Sequence, residues 1–148
     1  MHTKDSPKTY MGFDFGSKYL GIALGQTITG TAQPLTTLKM LDEKPNWQLL
    51  DRLVQEWQPD GFIVGLALQP DGKHSKISIQ AKHFGESLQQ RYQKTVYFIE
   101  ERLTSVAARE TIREKARPSR SNKAEIDRIS AAIILESWLN SIAYERSS

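Results

Sequence analysis

The sequence predicts an α/β domain on a mixed five-stranded sheet, three antiparallel strands followed by parallel ones, with flanking helices. Three observations point there. Tyr10 to Phe15 and Tyr19 to Leu24 are apolar runs of strand length joined by the tight Gly16-Ser17-Lys18 turn. GFIVGLAL (61–68) and TVYFI (95–99) are nearly continuous apolar runs, the pattern of strands buried on both faces. Helical periodicity fills the stretches between them, so the later strands must pair in parallel through crossovers.

Each element has its own signal. Residues 29–38 read as a third strand, with Pro34 marking an edge or an irregularity. From Pro45 to Trp57, residues Trp47, Leu50, Leu53, Val54 and Trp57 recur at helical steps. Pro70-Asp71-Gly72 makes a turn before a helix over 75–92. Thr104 or Ser105 can cap a helix reaching about Lys115. The segment KARPSRSNKA (115–124) is a basic loop, and a last helix covers roughly 125–144. Trp47, Trp57, Trp138, Tyr97 and Phe98 all read as core.

The 148 residues suit one domain, here placed at 10–145 behind a loose polar tail over 1–9. The tail lacks the apolar centre of a secretory signal, and no apolar run is long enough to cross a bilayer. The chain has no cysteine, which excludes disulfides, thiolate metal sites and a cysteine nucleophile, and fits a reducing cytosol. Net charge is +3, a slight lean toward an anionic partner.

Acidic residues at the edges of buried elements carry the chemistry. Asp14 stands between Phe13 and Phe15, where a buried carboxylate is costly unless a metal, a phosphate-bearing ligand or a hydrogen-bond network balances it. Glu100 and Glu101 follow directly on TVYFI. Asp127 heads the apolar stripe Ala131, Ile134, Leu135 and Trp138, so it faces the sheet. Each acid also has an ordinary explanation: bonding turn amides, solvation at a strand end, or complementing a helix N-terminus. Together, on one layer, they suit Mg²⁺ or Mn²⁺, and two such ions on carboxylates cleave phosphodiesters. The glycines around Asp14 would then keep backbone bulk away from the ligand. Lys18, Arg102, Arg113, Arg117, Arg120 and Lys123 could neutralise phosphates, with Lys73, Lys76 and Lys115 nearby. His2, His74 and His83 have no metal-ligand spacing, and neither a P-loop nor a G-x-S-x-G elbow is present.

The segments DFGSKYLGIALG, ITGTAQPL, EWQPDGFIVGLAL, EERLTSVAARE and IDRISAAIILESWL, in that order, resemble the YqgF family. Its members are described as pre-16S rRNA nucleases and as Holliday-junction-resolvase-like proteins, and the resemblance runs from Tyr10 to Trp138. It implies a ribonuclease H-like fold and a bacterial cytoplasmic protein that matures the 5′ end of small-subunit rRNA. It matches the family's strand acid to Asp14, the acid of its E-R-L-[ST]-[ST] motif to Glu101, and the last-helix acid to Asp127. Those three would be catalytic and would bind one or two Mg²⁺ or Mn²⁺ ions. Ala67 stands where the family commonly has proline, and Gly65 where RuvC-like resolvases carry an acid. The expected partners are precursor rRNA or structured DNA, with a ribosomal or assembly-factor contact, on a monomer or weak homodimer. Two other classes stand beside the nuclease. One is an actin- or Hsp70-like ATP-binding lobe, which a chain this short supplies only in half. The other is a non-catalytic RNA-binding factor.

Overall fold

The computed structural model describes residues 6–104, 106–116 and 123–147, with the side chains of 113, 115, 116, 123–125 and 143–147 outside that description. The elements run β1 (Thr9–Phe15), β2 (Tyr19–Gln26), β3 (Thr31–Lys39), α1 (Trp47–Trp57), β4 (Gly61–Leu66), α2 (Lys76–Tyr92) and β5 (Thr95–Glu100). A 3₁₀ turn (Glu101–Leu103), α3 (Val106–Ala116) and α4 (Lys123–Ser147) complete the chain. The sheet order is β3-β2-β1-β4-β5. β1, β2 and β3 are antiparallel neighbours, whereas β4 joins β1 and β5 joins β4 in parallel. The mixed sheet is therefore the one the sequence predicts.

Alternation along the strands divides the core into two layers. Met11, Phe13, Phe15, Leu20, Ile22, Leu24, Phe62 and Val64 pack on one face beneath α1 and α2. Phe13 is fully buried and meets Phe84 of α2 edge-on, with ring centroids 5.2 Å apart. Tyr10, Ala23, Ala32 and Ile63 face the other way, against α4. That helix is buried around most of its middle because it lies over β1, β2 and β3 and packs against α3 as well. Even its acid Glu136, 3% exposed, is consumed structurally, accepting the Ala32 amide of β3 at 2.8 Å.

Local chemistry sets the ends. Asn46 caps α1 by accepting the Leu49 amide, and Ser75 caps α2 in a reciprocal box with Ser78. Pro34 sits on the edge strand β3, where the register shifts and Leu35 is the extra residue.

Three expectations need correction. The chain is tied down before Tyr10: Lys8 exchanges hydrogen bonds with Thr27, and the Thr9 amide donates to Asp60. Residues 1–5 lie outside the described residues. β5 is an edge strand, not one buried on both sides, and Tyr97 and Phe98 are 40% and 37% exposed. Trp57, at the last turn of α1, is 42% exposed.

α1 and α2 are joined by Asp51, which accepts from Arg91 Nε at 2.7 Å, Arg91 Nη2 at 2.6 Å and the Tyr92 hydroxyl at 2.6 Å. Arg91 also lies over the Trp47 ring, 5.1 Å from its centroid. The Arg91 bonds first, then that of Tyr92, hold the Asp51 carboxyl down at about 2 from its ordinary 3.8. A depressed carboxyl contributes stability above its unfolded value and loses it as pH falls through its folded one. Asp51→Asn should therefore lower Tm at pH 7 and leave it nearly unchanged at pH 2. Both partners are 43% exposed, so the pH 7 difference should be modest and shrink in high salt. Thermal melts of both proteins at the two pH values check this.

Candidate functional site

The site begins with one row across the sheet. Asp14 of β1 pairs with Gly21 of β2. On the other side of β1, Phe13 pairs with Val64, which puts Gly65 of β4 next to Asp14. Lateral partners share a face, so Gly21, Asp14 and Gly65 form a row on the α4 face. Both glycines are there because something else occupies their Cβ positions. A Cβ on Gly21 would run into the backbone carbonyl of Asp127 in α4 and lie 2.9 Å from the Arg128 amide nitrogen. A Cβ on Gly65 would lie 2.5 Å from Ile134 Cδ1 and 3.2 Å from Glu101 Cγ. Asp14 thus lies in the row between a glycine covered by the Asp127 backbone and a glycine beside the Glu101 side chain, over strands spaced about 4.8 Å apart. The glycines make room for protein, not for a ligand as the sequence suggested.

Topology explains why the acids share one end. Asp14, Gly65 and Glu100 lie at the carboxyl ends of three parallel strands. Glu101 is in the turn just beyond, and is half-buried. Asp127 is 3% exposed and stands one turn inside α4, because the helix starts at Lys123. Alternation also separates the neighbouring glutamates. Glu100 pairs with Leu66, whose side chain packs in the α1/α2 layer. It accepts from Arg102 Nε at 2.9 Å on that side. Glu101 turns toward Gly65 and α4.

The basic residues divide in the same way. Lys18 is exposed in the turn after β1, at the same end of the sheet as the acids. Arg102 bonds Glu100 and lies 3.9 Å from where a Gly72 side chain would begin, next to the turn that carries Lys73. Arg113 and Lys123 are placed only by the backbones of α3 and α4. Arg117 and Arg120 lie outside the described residues. The sequence reading passed over Arg109 and Ser130, which line a cleft of about 150 Å³ with Glu101, Thr104, Ile133 and Ile134. Arg109 reaches the Thr104 carbonyl at 3.4 Å. Its signal was a cation in the first turns of the helix after E-R-L-T.

All three acids are hard oxygen donors on one face, the donor type that suits Mg²⁺ or Mn²⁺. They are gathered but not closed into a cage. Among the described residues, no group of three His, Cys, Asp or Glu side chains is placed to hold a metal ion. The residues fit such an ion in donor chemistry and in face.

Comparison with known proteins bears on the family and the fold. The sequence model of the family described as RuvX, Holliday junction resolvase, matches residues 8–141. A protein of Aeromonas hydrophila subsp. hydrophila named "putative pre-16S rRNA nuclease" is 45% identical over 134 residues, 90% of this chain and 96% of its own. A Salmonella dublin protein of the same name is 45% identical over 130 residues, 88% and 94% of the two chains. Among solved structures, T. thermophilus RuvC in complex with Holliday junction substrate superposes with a TM-score of 0.58 at 15% identity, covering 92% of this chain and 96% of that one. The yeast mitochondrial Holliday junction resolvase gives 0.59 at 11%, covering 93% and 80%. These likenesses identify the fold as the ribonuclease H-like one that the sequence implied.

Proposed function

The chain belongs to the RuvX family, and on that premise we propose that it hydrolyses phosphodiester bonds of precursor small-subunit rRNA, with Asp14, Glu101 and Asp127 as its catalytic residues. The observation that carries this is the Gly21–Asp14–Gly65 row, which leaves Asp14 between a glycine covered by the Asp127 backbone and a glycine beside the Glu101 side chain. The relatives' name supplies the substrate class.

In this reading the three carboxylates would hold Mg²⁺ or Mn²⁺, which when bound supplies an activated water and charge neutralisation at the leaving oxygen. On this reading the sheet fixes Asp14, while α4 and the 3₁₀ turn supply the other two acids. Lys18 and the basic segment 115–124 neutralise backbone phosphates and carry no sequence information. Arg109, beside Glu101, is placed to meet a phosphate entering the cleft.

The test is cleavage of a 5′-extended small-subunit rRNA precursor in Mg²⁺ or Mn²⁺, with a DNA four-way junction in parallel. Metal-dependent RNA cleavage is expected. Junction cleavage alone would move the substrate to DNA, the second reading, which the family description favours. RNA binding without cleavage of either substrate would leave a binding factor. Removing Lys18 by Lys18→Ala should weaken RNA binding about equally for all sequences and lower the salt slope by roughly one phosphate contact.

A further inference from the structure

We propose that β5 pairs with β5 of a second copy of this chain, antiparallel across a two-fold axis at Tyr97, to give a continuous ten-stranded sheet.

The two edges of the sheet are treated differently. β3 carries Pro34 and a register shift, both of which discourage further pairing. β5 has no such protection. Its sequence TVYFIE holds no proline and no lysine, and its only charge is at the last position. Among the described residues no strand lies on its outer side. Tyr97 and Phe98, the residues expected to be core, are exposed there.

Self-pairing has one favoured register. A two-fold axis perpendicular to the sheet sets residues of one face opposite each other, so the centre falls on a residue. Centred on Tyr97, Val96 faces the partner's Phe98 and Thr95 faces the partner's Ile99. Lys94 then faces the partner's Glu100, twice per dimer, and both are on the surface or partly so. Centring on Phe98 would set Lys94 against Arg102 and Val96 against Glu100, pairing like charges and a charge with an apolar residue. The charge pattern therefore favours a second copy in the Tyr97-centred register, in which Lys94 and Glu100 meet twice.

The aromatic packing continues in that register. Tyr97 already stacks on Trp138 with centroids 4.8 Å apart, and Trp138 meets Tyr10 at 4.8 Å. Two facing Tyr97 residues would join these rows across the axis. The strands run oppositely, so the two candidate sites lie at opposite ends of the long sheet and both clefts stay open. Six residues of strand bury little surface, so the dimer should be weak, with a dissociation constant on the order of 100 μM.

The absence of cysteine makes the register directly testable. Under mild oxidation Tyr97→Cys should form a disulfide-linked dimer, because opposed residues have Cβ atoms about 4.5–5.5 Å apart. Phe98→Cys, offset from its own copy by two positions, should crosslink far more slowly. Sedimentation velocity of the unmodified chain should show a concentration-dependent rise in mass. Lys94→Glu, an exposed change that does not threaten folding, should weaken association about tenfold, and adding Glu100→Lys should restore it. A monomer at all concentrations, equal crosslinking of the two cysteine variants, or no restoration by the charge swap would each overturn the proposal.

Discussion

Asp14→Asn is expected to reduce cleavage on the order of 10³-fold, about 4 kcal/mol of transition-state stabilisation, with a melting temperature close to that of the unmodified chain. The substitution keeps shape, turns one accepting oxygen into a donating NH₂ and removes one charge. Asp14 is flanked on both sides and lies on a strand paired along both edges, so its position is held by the backbone. A neutral amide in that position is a far weaker cation ligand than a carboxylate, and the defect should appear in kcat more than in RNA affinity. Higher Mn²⁺ should recover part of the loss if the missing contribution is ion binding. Single-turnover cleavage with a metal titration measures both, and circular dichroism confirms the fold. Full activity in Asp14→Asn would remove the proposed site at its centre.

Glu101→Gln should behave similarly and Glu100→Gln should not. The two glutamates look equivalent in sequence, and only strand alternation separates them. Glu100 follows the parity of Leu66 and bonds Arg102, while Glu101 lies against Gly65. That distinction was reachable from the family motif but not from periodicity, because the strand ends between the two residues.

Much of the fold was legible because four of the five strands are apolar runs bounded by turn residues, β3 being the exception. What the runs could not show was order across the sheet. GFIVGLAL and TVYFI have the same pattern, yet β4 is central and β5 is at the edge. Crossover topology fixes the direction of a strand, not what lies beyond it. The acids on α4 show a similar gap. Asp127 was identifiable from its place on the apolar stripe, whereas Glu136, equally buried, gave no sign of its bond to the Ala32 amide of the irregular β3 edge. The Asp51–Arg91 bridge was invisible because its partners are forty residues apart, on helices whose crossing only the core decides.

The glycines offer the second large effect, and they separate stability from activity. Gly21→Ala would push a methyl into the Asp127 carbonyl, which is backbone within a helix and cannot rotate away. The N-terminal part of α4 must then lift from β2. Overpacking against backbone should cost about 3 kcal/mol and lower Tm by roughly 10 °C. Activity should fall as well, since Asp127 moves with the helix. Gly65→Ala meets only side-chain atoms, those of Ile134 and Glu101, and no backbone. Its stability loss should stay below about 1.5 kcal/mol, offset in part by the reduced freedom of the unfolded chain. Yet the new methyl stands 3.2 Å from Glu101 Cγ and displaces that acid, so under the proposed function cleavage should fall far more than stability accounts for. Paired melts and cleavage rates decide the matter. If Gly65→Ala cleaves normally, Glu101 does not work from beside Gly65. If Gly21→Ala melts like the unmodified chain, α4 does not sit on β2 as closely as the row requires.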